Sequence, residues 1–385
     1  MGDTQRLSPD EQIEFARNAY ESGADFTVAV EEEFAILEPE TLDLTNRFED
    51  LEAAAQGTVL EEHLVGELIA SEVEVRTGRC ENFTEAAALI GERRSQLHDL
   101  AEHVEVSLAG VGTHPWSPWQ DQRIIDTPHY RANDEMLKYV VWRNNTFGLH
   151  VHVGIRGADR AIQVCNVMRN YLPELLALSA SSPFVEGVDS GLHSARTQIF
   201  TRMFPRCGVP DVYESWPAYE EYVRMLYRTK SILEHTHIWW SVRPHLAYPT
   251  VEVRICDAQP QLGEAQSLAA LIYALVGTVA LQLDAGPSFE LLPRRLIEEN
   301  FWRAIRRGLG GEFIDFTSGE TESTRTRLER LVEWVQPFAE QFGAAPFLAI
   351  PTANAAERQR ARLAERASFR EIYAEQIAAG EPVRG

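Results

Sequence analysis

The chain is short of several features that would narrow its function at once. Its four cysteines, Cys80, Cys165, Cys207 and Cys256, are scattered, with no CxxC pair. That excludes a zinc ribbon, gives no disulfide frame and suits a reduced cytoplasm. No charged-then-apolar segment opens the sequence, so no secretory signal is expected. The longest apolar run, about Leu268 to Leu281, falls short of the ~18–20 residues of a membrane span. It reads as a buried helix, and no membrane partner is expected. Positive charge is scarce: 36 Lys and Arg stand against 58 Asp and Glu, a formal net charge of −22. A nucleic-acid partner is therefore not expected, because a phosphate backbone needs lysine and arginine. The glycines of "RRGLGGEF" lack the lysine–serine ending of a Walker A loop, and no Rossmann fingerprint occurs. Any nucleotide must be held without a glycine loop on a helix.

What is present is a globular composition, 44% hydrophobic and 24% charged over 385 residues, with room for a large core. Strands and helices alternate without a long linker. "LSPDEQIEFARNAYES" predicts a helix capped by Ser8, with Pro9 in its first turn and Glu11 closing a capping box. "DFTVAVEEEFAIL", "SEVEVRT" and "FGLHVHVGI" read as strands, and "IWWSVRP" with "TVEVRIC" as an antiparallel hairpin across "HLAYP". Helices are expected at about 85–107, 131–143, 159–181 and 217–232, and three or four more finish the chain. The segment from Gly187 to Pro210 carries so many breakers that it reads as a long functional loop.

Sorting each strand into its two faces exposes a common design. Val28, Val30, Phe34 and Ile36 oppose Glu31 and Glu33, with Glu32 the one acid on the apolar side. Val73 and Val75 oppose Glu72, Glu74 and Arg76; Leu149, Val151 and Val153 oppose His150 and His152. Val251, Val253 and Ile255 oppose Glu252 and Arg254. A face that is merely wet would mix Lys, Thr, Ser and Gln, whereas these positions hold no lysine and are mostly glutamate. If the strands are neighbours, each like-charged pair at 4 Å costs ~1 kcal/mol in water and ~4 kcal/mol at an effective dielectric near 20. Such a cluster either protonates or holds cations. Oxygen-rich ligands without cysteine suit Mg²⁺ or Mn²⁺ over zinc. Magnesium on carboxylates keeps open positions for phosphate oxygens, which Arg76 and Arg254 would face. The sheet reads as a platform for a metal–nucleotide complex.

With these residues in view, "VAVEEEFAIL", "GELIASEVEVRTG", "FGLHVHVGI", "FTRMFPRCGVPD", "IWWSVRPH", "TVEVRICDAQP" and "EENFWRAIRRGL", in that order, resemble the bacterial carboxylate–amine ligases of the glutamate–cysteine-ligase-like type. The resemblance runs from about Phe26 to the last helices. It implies an α+β fold similar to glutamine synthetase: an open, mainly antiparallel saddle with helices on its convex side and ATP and metal ions on its concave face. One catalytic domain over 1–385 is expected, helical from about 289. Carried over position by position, the resemblance assigns metal binding to Glu31, Glu33, Glu67, Glu74 and Glu252. His150 would lie near the metals and Arg254 would face phosphate. Glu67 falls out of alternation with Glu74, so a bulge or loop must intervene, and Glu32 is a supporting or structural acid.

ATP would then convert a substrate carboxylate, glutamate's by preference, into an acyl phosphate, and an amine, cysteine or another, would displace phosphate. Glu252 and Arg254 are the catalytic candidates, with Arg76 and His150 beside the cofactor. Arg196 and Arg202, in the breaker-rich segment, are candidates to grip substrate carboxylates by forked hydrogen bonds, with His152 on the substrate side. A homodimer is the default expectation. Two rival readings stand beside this one. The H-x-H pairs His150/His152 and His235/His237 could chelate zinc in a hydrolase, or the saddle could belong to a binding protein without turnover.

Overall fold

A computed structural model describes residues 7–286 and 288–382. The expected strands join in one antiparallel sheet. We label its members β1 (Val28–Leu37), β2 (Leu64–Val65), β3 (Glu72–Arg76), β4 (Ser107–Ala109), β5 (Gly148–Gly154), β6 (Val242–Pro244) and β7 (Thr250–Asp257). Their order across the sheet is β6-β7-β5-β1-β3-β2, and β4 extends the pairing of β1 at its far end.

Alternation decides which face is dry. Val28, Val30, Leu149, Val151, Val153, Val251 and Val253 are buried in one apolar cluster beneath the sheet. Each such side chain contributes ~1.5–3 kcal/mol on burial. Helices Ala158–Met168, Leu172–Ser179 and Leu262–Ala285 pack against that face. The last runs 24 residues, longer than the apolar run alone suggests, and ends on Gly286 in the left-handed region (φ 98). By length and composition it could cross a membrane, yet it is mostly buried as a central helix of the core. The N-terminal helix, Pro9–Ser22, starts on Ser8 with the expected capping box.

Three helical expectations change in detail. The 159–181 pattern is broken by a 3₁₀ turn at Arg169–Tyr171, because Pro173 has no N–H for an α-helical bond and its ring crowds the carbonyl four residues back. The 131–143 pattern begins at Pro128 and breaks at Lys138, whose φ is 49. Within the expected loop, Ala195–Met203 forms a helix capped by Ser194, whose side chain accepts from the Thr197 N–H. The breakers lie outside it. The hairpin also differs: only Val242–Pro244 pairs with β7, while Trp239–Trp240 runs parallel to Cys207–Gly208. The terminal helices are Arg294–Arg307, Thr324–Gln341, Ala355–Ala364 and Phe369–Gly380, with a short hairpin at 312–323.

Candidate active site

Register brings the polar residues of four strands into one row. Glu31 of β1 lies opposite His150 of β5 and Arg76 of β3; Glu33 lies opposite Glu74; Glu252 of β7 lies opposite His152. Glu67 sits in the segment between β2 and β3, outside any strand, as its broken alternation requires. The result is three overlapping donor sets: Glu31, Glu74 and His150; Glu31, His152 and Glu252; Glu33, Glu67 and Glu74. Within each set the ligand atoms lie within 4.8 Å of one another.

The electrostatics follow from burial and crowding. Burial and repulsion from Glu33 push the Glu67 carboxyl up to about 7. Burial, with Glu31, Glu67 and Glu33 nearby, raises Glu74 well above the usual range, although Arg76 opposes the shift. Glu72, fully covered on the same strand, is raised by burial and by Glu33, Glu67 and Glu74. Two acids go the other way. Burial alone would raise Glu31, but His152, Arg76 and His150 hold it well below the ordinary value. Glu252 is likewise held low against burial by Arg243, Arg254, His152 and His245. His150 is pushed toward its neutral form by burial and by Arg254.

These residues fit divalent cations. His150 Nδ1, 3.4 Å from Glu31, and His152 Nε2, 3.6 Å from Glu31 and 3.8 Å from Glu252, are buried nitrogens without a hydrogen-bond partner. Buried polar atoms of that kind are costly unless something binds them. Carboxylates that raise one another's pKa are relieved by a shared cation. With oxygen the majority donor and no cysteine, the set favours Mg²⁺ or Mn²⁺.

The arginines frame the row. Arg254 donates to Glu252 and keeps its Nε buried and unpartnered. Arg76 Nε bonds Glu74 and lies 3.2 Å from Glu31. Arg196, 4% exposed, donates to the Ile255 carbonyl at 3.2 Å, where a bulge in β7 shifts the register, and its Nε also lacks a partner. Gly148 makes room for it: a Cβ there would stand 2.2 Å from Arg196 Nη2. Arg202 is exposed on the last turn of its helix and is not drawn into this cluster. His152, expected on the substrate side, stands instead between Glu31 and Glu252.

Four residues have roles here that the sequence reading did not assign. Arg243 of β6 grips Glu252 with two donors, at 2.6 and 3.2 Å. Sorting β6 by faces would have found it, since Arg243 alternates with the buried Val242. Arg94 pairs with Glu32 at 2.6 Å beneath the sheet, which gives that acid its structural place. Glu72 crowds Glu33 and Glu74 from the same face. Asp257 accepts from Ser181 N, Ser182 Oγ and Ser194 Oγ, tying β7 to the start of the Arg196 helix. The second H-x-H pair, His235/His237, lies in a 3₁₀ turn and not on a strand.

The sheet thus has one aliphatic face under helices and one face of converging glutamates, histidines and arginines, the arrangement expected of a carboxylate–amine ligase. The chain belongs to glutamate–cysteine ligase family 2, whose model matches residues 27–359. It is 38% identical over 338 residues to a protein of Solibacter usitatus (86% of this chain, 88% of that one). It is 39% identical over 353 residues to one of Sorangium cellulosum (90% and 94%). Both are named "Putative glutamate–cysteine ligase 2". The fold is similar to glutamate–cysteine ligase from Francisella tularensis, solved in complex with AMP (TM-score 0.66, 12% identity, 95% of this chain and 91% of that one). It is also similar to a bifunctional glutathione synthetase from Pasteurella multocida (TM-score 0.63, 12% identity, 96% of this chain and 53% of that one).

Proposed function

We propose that the protein is an ATP-dependent carboxylate–amine ligase that activates an amino-acid carboxylate, glutamate's by preference, and joins it to cysteine or another amine. The observation that carries this reading is the row of three donor sets with Arg254 set into it. A carboxylate resists an amine because its leaving group would be oxide. Transfer of the γ-phosphoryl group of ATP gives an acyl phosphate and ADP. The amine then displaces phosphate and loses a proton, giving the amide.

Glu31, Glu33, Glu67, Glu74 and Glu252, with His150 and His152, would hold Mg²⁺ or Mn²⁺, which when bound neutralises polyphosphate charge. The chain's own groups do the rest. Arg254, kept cationic by Glu252, offers its free Nε to the transferring phosphoryl group. Arg196 offers its own free Nε to a substrate carboxylate at the Gly148 end of β5. Glu252, anchored by Arg243, keeps Arg254 aimed. Four buried, unpaired cysteines support a cytoplasmic setting.

The test is ADP release with Mg²⁺, ATP and glutamate against a panel of amines. Amine-dependent release supports the reading. No release with glutamate or any other amino acid, at any amine, contradicts it.

A further inference from the structure

Strand β5 gives the site a direction. Arg196 packs over Gly148 at one end of the strand, and His150 and His152 occupy the middle, beside the donor sets. At the other end Thr250 lies opposite Gly154, and Pro249 of the β6–β7 connection accepts from the Ile155 N–H. Six strand steps of ~3.3–3.4 Å separate Gly148 from Gly154, roughly 20 Å. An elongated ligand that lies along β5 with its phosphates on the donor row has its far ends at Arg196 and at the β6–β7 connection. The Arg196 end carries a buried guanidinium whose Nε has no partner and whose Nη1 lies 3.8 Å from Asp257. The other end carries aromatic rings.

Those rings form a stack that starts at the donor row. His152 meets His245 edge to face at a centroid distance of 5.3 Å. His245 in turn lies flat against Tyr248, at 5.0 Å and 15°. The order is built in. His152 Nδ1 pairs with Thr250 Oγ1 at 2.9 Å, and His245 Nδ1 accepts from the backbone N–H groups of Ala247 and Tyr248. Tyr20 fixes the strand ends by donating to the Thr250 carbonyl at 2.6 Å. Tyr248, outermost in the stack, is 48% exposed, His245 beneath it is half-buried, and His152 at the donor row is buried. A large ring stacked on one side and left half open, one stack away from the donor row, is what a nucleobase needs, because every base has a face to stack.

We propose that Tyr248 is the platform on which the base of the nucleotide stacks, with the acid substrate bound at the opposite, Arg196 end. This rests on the ligase reading above and adds to it a residue that positions the nucleotide. A stacked base loses about ten- to a hundredfold in affinity when its aromatic partner is cut to alanine.

The experiment is calorimetric titration of the intact chain with Mg-ADP and, separately, with Mg-tripolyphosphate, which has no base. Tyr248→Ala should weaken Mg-ADP by about ten- to a hundredfold and leave tripolyphosphate unchanged, while Tyr248→Phe binds both as the parent does. Equal Mg-ADP affinity for Tyr248→Ala and parent would overturn the assignment. So would equal weakening of both ligands, which would make Tyr248 a support of the phosphate site. A parent chain that binds neither ligand contradicts the ligase reading itself, and the base platform with it.

Discussion

Arg243 and Glu252 lie directly opposite each other on neighbouring strands, and the guanidinium donates to both carboxylate oxygens, at 2.6 and 3.2 Å. Both side chains are buried, and Arg254 approaches the same carboxylate from two residues along β7. Two cations on one acid explain why Glu252 stays ionised in a buried setting. Removing one partner of a buried pair costs ~3–5 kcal/mol, because the other charge loses its compensation. Arg243→Ala should fall toward the lower end of that range, since Arg254 remains. Arg243→Lys should cost less, keeping the charge while losing the fork. Denaturant unfolding of both variants checks this; an alanine variant within ~1 kcal/mol of the parent would speak against the clamp.

Arg254 is expected to contact the transferring phosphoryl group as well as its neighbour Glu252. A simple ion pair tolerates lysine, whereas a planar donor fork at the transition state does not. Losing one such donor costs ~10²–10³ in turnover. Arg254→Lys should lower kcat by about that factor with a smaller change in the KM for ATP, measured by steady-state ADP release. A kcat within a few-fold of the parent would reduce the arginine to a partner of Glu252.

The donor row was legible in the sequence because alternation on a strand is strict: once the valines of four strands were placed inward, their glutamates and histidines had to share the other face. Arg243 is less legible, because "IWWSVRP" reads as one continuous strand of a hairpin although only Val242–Pro244 pairs with β7. The Trp239–Trp240 part belongs to a different pairing, with Cys207–Gly208, a contact between distant segments that local pattern cannot reveal. The helix Ala195–Met203 is masked by the glycines and prolines on either side, although its cap, Ser194, is a residue type that starts helices. For Arg196 the sequence offers residue type alone. Its burial over Gly148 depends on a close approach that only the folded chain shows.

The carboxylates of the row carry a cost that a cation removes, so function and metal-free stability should pull apart. Glu67→Gln takes one carboxyl from the Glu33, Glu67 and Glu74 group, where burial and repulsion from Glu33 already raise Glu67 to about 7. Without metal this variant should be at least as stable as the parent. Mn²⁺ should stabilise the parent, by ~2.7 kcal/mol at a hundred times its Kd, and stabilise the variant less. Thermal unfolding with and without Mn²⁺ decides; equal metal-induced shifts would remove Glu67 from the cation site.

Away from the row, His129 donates to Glu234, which also approaches His237 at 3.1 Å. The hydrogen bond that His129 donates to Glu234 is the main cause that raises the His129 pKa above its ordinary 6.5. A base with a raised folded pKa adds stability that is fully present below its unfolded pKa and lost as pH rises through the folded one. His129→Gln should therefore cost most below the ordinary imidazole value of 6.5 and progressively less as the pH rises above it, as followed by denaturant unfolding across pH. A cost that does not change with pH would show that the imidazole acts by packing alone.

The most direct test of the ligase account follows oxygen. Glutamate labelled with ¹⁸O in its carboxylates, turned over with ATP, Mg²⁺ and an accepted amine, should pass label from the reacting carboxylate into inorganic phosphate, because the acyl phosphate breaks at its acyl carbon. Label in AMP with release of pyrophosphate, or amide formed with unlabelled phosphate, would contradict it.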